Sequence, residues 1–89
     1  MVTRDITIIN KLGLHARAAA KFVSIASRYG AEIHLQRGGQ RVNGKSIMGV
    51  MMLAASKGTN LVLTTEGEDE DGAADALAQL IADRFGESE

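Results

Sequence analysis

Ala31-Glu32-Ile33-His34-Leu35-Gln36-Arg37-Gly38-Gly39-Gln40-Arg41-Val42-Asn43, or AEIHLQRGGQRVN, is the stretch that decides the fold. Its first half alternates: Ile33 and Leu35 point one way, Glu32 and His34 the other. That period of two predicts a strand with one dry face and one wet face. Arg37-Gly38-Gly39-Gln40 interrupts the pattern, and paired glycines tolerate the positive φ of a tight hairpin turn. Arg41-Val42-Asn43 resumes it as a short return strand. A hairpin makes neighbouring strands antiparallel, and an antiparallel sheet needs cover on only one face.

Outward from the hairpin, the same sheet recruits two more strands. Val2 to Asn10 is rich in β-branched residues, with Ile6 and Ile8 on one face and Asp5 and Thr7 on the other. Asn60 to Glu66 is built on Leu61, Val62 and Leu63. Between these strands the period changes to that of a helix. From Ala16 to Arg28, Ala18, Phe22, Ile25, Ala26 and Tyr29 form one stripe, and Gly30 ends the segment. Ser46 caps a short helix over Ile47–Ala55, in which Val50, Leu53 and Ala54 share the inward face. After the acidic run Gly67–Asp71, the residues Ala73, Ala74, Leu77, Leu80, Ile81 and Phe85 form a third stripe. The predicted order is β-α-β-β-α-β-α. This is an α+β, two-layer, open-faced β-sandwich: a four-stranded antiparallel sheet covered on one face by helices, as one domain over residues 1–89.

Composition excludes several kinds of function. The chain has no Cys, so disulfides, thiolate chemistry and thiolate metal sites are out. Two His without paired carboxylate spacing predict no metal site, and no cofactor motif is present. The net charge is −1 with scattered Lys and Arg, which leaves no basic footprint for nucleic acid. The N-terminus lacks the layout of a signal peptide, and no apolar run spans a bilayer. A monomer located in the cytoplasm, without membrane insertion, is expected.

One histidine stands apart. In Gly13-Leu14-His15-Ala16-Arg17-Ala18-Ala19-Ala20, His15 sits where the first helix begins. The first turn of a helix carries N–H groups with no intrahelical acceptor. A phosphoryl group on His15 would meet the N–H groups of Ala16 and Arg17 and the positive end of the helix dipole. Arg17 adds a guanidinium suited to phosphate oxygens. A neutral imidazole nitrogen is a nucleophile, and its N-phosphoryl adduct is reactive enough to pass the group on. No Mg²⁺ site, Walker loop or water-positioning base accompanies it. Such a site suits a carrier that borrows the rest of its chemistry from partners, and not an enzyme in its own right.

Two features flank that site. Ser46 is a helix N-cap at which added phosphate is electrostatically tolerated, so it is a candidate regulatory position. Ile47, Met48 and Met51 turn outward from the helix that follows, and exposed Met suits a surface that fits several partners. His34 reads as a wet-face residue, and Glu68–Asp71 as a solvated helix start without the spacing of a Ca²⁺ loop.

With GLHARAAAKF and NGKSIMGVMMLAA together, the chain resembles the HPr phosphocarrier family of the phosphoenolpyruvate-dependent sugar phosphotransferase system. The histidine motif matches Gly13-Leu14-His15-Ala16-Arg17-Ala18, and the serine motif matches Lys45-Ser46-Ile47-Met48. The resemblance implies that His15 takes a phosphoryl group on Nδ1 from phosphorylated enzyme I and yields it to an enzyme IIA domain. It implies that Arg17 stabilises the phosphate and that Ser46 is the target of an HPr kinase/phosphorylase. It implies a docking surface of Ala16, Arg17, Ala20, Ile47, Met48, Met51 and Met52, and a sheet order of 1-4-2-3 under three helices. Many relatives carry Pro at the position of Ala18, whereas this chain has no proline. The Met-rich helix leaves the nitrogen-related branch of the same system, or a purely regulatory relay, as alternatives.

The same β-α-β-β-α-β order also describes RNA-recognition modules, which stack bases on sheet aromatics. Here Phe22, Tyr29 and Phe85 all fall on predicted helices or their ends. That rival therefore ranks last.

Overall fold

Four strands and three helices alternate along the chain in the computed structural model, which describes residues 1–89. They are β1 (Val2–Thr7), α1 (Ala16–Ala26), β2 (Glu32–Arg37), β3 (Gln40–Asn43), α2 (Ile47–Met52), β4 (Asn60–Glu66) and α3 (Glu70–Ala82). A short turn, Arg84–Gly86, follows. The strands form one antiparallel sheet in the order β1-β4-β2-β3. The hairpin of β2 and β3 pairs Arg37 with Gln40 across Gly38-Gly39, and Gly38 has a φ of +57°. In the centre of the sheet Leu35 faces Leu63, and Ile6 faces Leu61.

The dry face of the sheet carries Ile6, Ile8, Ile33, Leu35, Leu61 and Leu63, all buried. Ala18, Phe22 and Ala26 of α1, Val50 of α2, and Leu77 and Ile81 of α3 close over it. Each large apolar side chain so buried contributes about 1.5–3 kcal/mol. The wet face is polar, and no aromatic side chain lies on it. Phe22 and Phe85 are fully buried and Tyr29 packs against the core, so base stacking of the RNA-recognition kind has no platform here. No helix is long and apolar enough to cross a membrane.

Several element boundaries differ from the sequence pattern. β1 stops at Thr7, not Asn10, although Ile8 still exchanges backbone bonds with Thr59 and Gly58. Asn10 is instead turned fully inward. α1 ends at Ala26, leaving Ile25 and Tyr29 only half-buried at the edge of its stripe. α2 ends at Met52, because Ala54 takes a left-handed φ of +49° and is exposed instead of packed inside. Phe85 is core, but not as part of α3. Arg84 and Phe85 adopt φ values of +57° and +55°, which swing the chain out of the helix and let the ring drop into the core from a separate turn.

The acidic run before α3 is more than a solvated start. The Asp69 carboxylate accepts the N–H of Gly30 and that of Ala31, both at 2.8 Å, and ties the α1–β2 connection to the start of α3. These bonds hold its carboxyl below the usual aspartate range.

Candidate functional site

His15 occupies the N-cap position of α1 with extended backbone dihedrals, and its side chain does not cap the helix. The first intrahelical bond runs from Ala19 N–H to His15 O at 2.9 Å. The N–H groups of Ala16, Arg17 and Ala18 therefore project from the helix start without intrahelical acceptors.

Gly13 sets this geometry. It has a φ of +69°, and a Cβ there would stand 2.5 Å from Ala55 O and 2.9 Å from Ser56 Cα. Only glycine permits so close an approach. The next residue fastens the contact, since Leu14 N–H donates to Ala55 O at 2.8 Å. The loop that delivers His15 is thereby locked to the loop that follows α2. The helices α1 and α2 pack on each other, with the loop after α2 beside the start of α1 and Lys45, just before Ser46, donating to Tyr29 O beyond the end of α1.

The imidazole is not free. Its Nε2 lies 2.5 Å from Oε2 of Glu87, a residue 72 positions later. Both side chains are mostly covered, His15 at 28% and Glu87 at 17% exposure. The other carboxylate oxygen of Glu87 accepts Asn10 Nδ2–H at 3.0 Å. Asn10 also donates to Gly13 O at 2.9 Å, and its own Oδ1 is buried without a partner. The hydrogen bond with His15, and then that from Asn10, hold the Glu87 carboxyl below the usual glutamate range despite its partial burial.

The segment bearing Glu87 is fastened on both sides. Lys21 Nζ donates to Phe85 O at 2.6 Å, and Lys11 N–H donates to Glu89 O at 3.0 Å. Beside the ring a cleft opens, lined by Lys11, Arg17 and Lys21 together with Gly86–Glu89. Glu87 is held by His15, and Glu89 lies 3.4 Å from Lys11 Nζ, so Arg17, Lys21 and the helix N-terminus are what this cleft offers an anion such as phosphate.

Ser46 is the N-cap of α2, as its position in the sequence implies. Its Oγ accepts Gly49 N–H at 3.1 Å. Gly49, which weakens a helix in isolation, is useful here. A Cβ at 49 would stand 3.3 Å from the Ser46 hydroxyl and crowd it. Ala16, Arg17, Ala20, Ile47, Met48, Met51 and Met52 are all exposed, and they lie on the two packed helices. Met48 and Met52 are the barest, at 75% and 65% exposure.

Leu12, 67% exposed, lines the same cleft as His15 and was not marked by any sequence pattern. Glu87 and Asn10 were also missed. Nothing in a one-dimensional reading connects residues 10, 15 and 87. His34 lies on the wet sheet face as expected, with its Nδ1 3.2 Å from Arg41 Nη2.

Comparison with known proteins gives a consistent result. Residues 2–83 match the family model described as the PTS HPr component phosphorylation site. The chain is 62% identical over 90 residues to the phosphocarrier protein HPr of Pseudomonas aeruginosa, with all of both chains covered. It is 56% identical over 89 residues to that of Cupriavidus necator, again over the full length of both. Among solved structures, the crystal structure of HPr-C-His from Thermoanaerobacter tengcongensis superposes with a TM-score of 0.96 at 46% identity, covering both chains completely.

Proposed function

The chain belongs to the HPr family of the phosphotransferase system, and on that premise we propose that it acts as one domain that carries a phosphoryl group on His15. The group arrives from phosphorylated enzyme I, which draws it from phosphoenolpyruvate, and leaves to an enzyme IIA domain. The observation that carries this reading is the placement of a mostly covered imidazole at the N-cap of α1, beside a cleft lined by Arg17 and Lys21. Arg17 neutralises the phosphate oxygens from the first turn of that helix. The chain acts as a carrier between separate transferases, and as a monomer in the cytoplasm.

The exposed surface of Ala16, Arg17, Ala20, Ile47, Met48, Met51 and Met52 receives the partners in turn. Flexible Met side chains suit one surface to several shapes. Ser46 borders that surface, and its phosphorylation by an HPr kinase/phosphorylase adds charge where partners dock.

The test is direct. Purified protein is incubated with phosphoenolpyruvate, Mg²⁺ and enzyme I, and its intact mass is read before and after mild acid. One acid-labile phosphoryl group, absent from His15→Ala, is expected. An unmodified wild-type chain, with enzyme I proven active on another carrier, refutes the reading.

A further inference from the structure

We propose that Glu87 is the positioning residue of the transfer site: its carboxylate keeps the imidazole proton on Nε2 of His15, so that Nδ1 retains the lone pair that attacks phosphorus. The inference rests on the carrier reading above and deepens it. A neutral imidazole has one N–H and one lone pair, and the hydrogen bond made by one nitrogen decides the role of the other. Here Nε2 faces a carboxylate at 2.5 Å, and a carboxylate can only accept. Nε2 is therefore the N–H, and Nδ1 is the nucleophile.

The carboxylate is itself held in place. Its second oxygen takes a hydrogen bond from Asn10, a side chain with no exposure at all. Asn10 cannot turn its amide around, because its Nδ2 also serves Gly13 O. Its buried Oδ1 is left unpaired by this arrangement. The amide thus gives up one hydrogen bond while keeping both of its donors on the Gly13 loop and on Glu87. Arg84 and Phe85, both left-handed without being glycine, turn the chain so that Glu87 reaches the ring. Such strained residues persist where the surroundings enforce them. The charged groups around the ring are Glu87, Glu89, Lys11, Arg17 and Lys21.

The chemistry then closes without moving a proton. The Nδ1 lone pair forms the bond to phosphorus, while the bond from phosphorus to the donor breaks and its electron pair stays with the donor. The ring now carries phosphorus on Nδ1 and hydrogen on Nε2, and is cationic. Glu87 faces that new positive charge. In the onward step the acceptor nitrogen bonds to phosphorus, the Nδ1–P bond breaks, and the pair returns to Nδ1. The same proton remains between Nε2 and Glu87 throughout. Partners that orient an imidazole in this way, when removed from metal-ligating histidines, typically cost about 10–100-fold.

The experiment compares wild type with Glu87→Ala and Glu87→Gln. Long-range ¹⁵N–¹H spectra of the unphosphorylated proteins report which ring nitrogen bears hydrogen and how fast it exchanges. Transfer rates from phosphorylated enzyme I, and onward to an enzyme IIA domain, are then taken across pH. Wild type is expected to show a slowly exchanging Nε2–H. Glu87→Ala should lose that protection and transfer about 10–100-fold more slowly. Glu87→Gln offers one oxygen and one NH₂ to two donors, so it should fall between the two. A role limited to anchoring the tail would leave the ring spectrum untouched. If Glu87→Ala keeps both the protected Nε2–H and the wild-type rates, this inference fails while the carrier reading stands. If wild type takes no phosphoryl group on His15, both fail.

Discussion

Arg37, the last residue of β2, donates from Nη1 to the carbonyl oxygen of Leu53 at 2.8 Å and so closes the C-terminus of α2. The same nitrogen reaches Ala54 O at 3.0 Å. A six-residue helix has little stability of its own. A cation on the two carbonyls just past Met52 complements the dipole at that end. Arg37→Ala should cost about 1 kcal/mol of unfolding free energy and speed amide exchange at Val50 and Leu53. Unchanged exchange there would show that α2 is held by its packing alone.

Ser46 supports the other end of the same helix. Ser46→Ala removes the acceptor for Gly49 N–H and should cost about 1 kcal/mol in urea unfolding, without preventing phosphorylation of His15. Ser46→Asp keeps a capping oxygen and adds a charge beside Ile47 and Met48. It should preserve stability and slow transfer from enzyme I about tenfold by disturbing the encounter. Equal transfer by wild type and Ser46→Asp would remove Ser46 from the docking surface.

Asp69 gives the fold a pH dependence of known sign. Its carboxyl titrates lower in the folded chain than in the unfolded one, because Gly30 and Ala31 donate to its charged form. The stabilisation is therefore complete above the ordinary aspartate value of about 3.9. It is lost as the pH falls through the folded value. Asp69→Asn should be less stable than wild type at neutral pH, and the gap should narrow below about pH 4. Unfolding free energies measured from pH 7 to pH 3 check this. A gap that does not change with pH would assign the effect to shape instead of charge.

The hairpin, the four strands and the three helices could be read from alternation, stripes and turn residues because each is a local signal. His15 and Ser46 were legible for the same reason, as both stand where one pattern gives way to another. Ala54 and Phe85 were misread because a left-handed φ at a residue other than glycine leaves no mark in the sequence. The third apolar stripe reads as one helix through Phe85, whereas the chain has already turned at Arg84. Glu87 was invisible for a further reason. Its partners, Asn10 and His15, lie at the opposite end of the chain, and no periodicity spans that separation.

The pairing of β1 with β4 sets Val2 opposite Thr65, and this has a consequence for how the molecule is made. A ribosome adds roughly 5–20 residues each second. β1 is therefore made on the order of 3–10 s before its neighbour in the sheet begins to be synthesised. During that interval Ile6 and Ile8 belong to an unpaired edge, with only local helices to shelter them. His15 emerges early too, but its carboxylate arrives after every strand and helix has been translated. Assembly thus ends at the reactive ring, and a nascent chain holds its histidine well before it holds the residue that orients it.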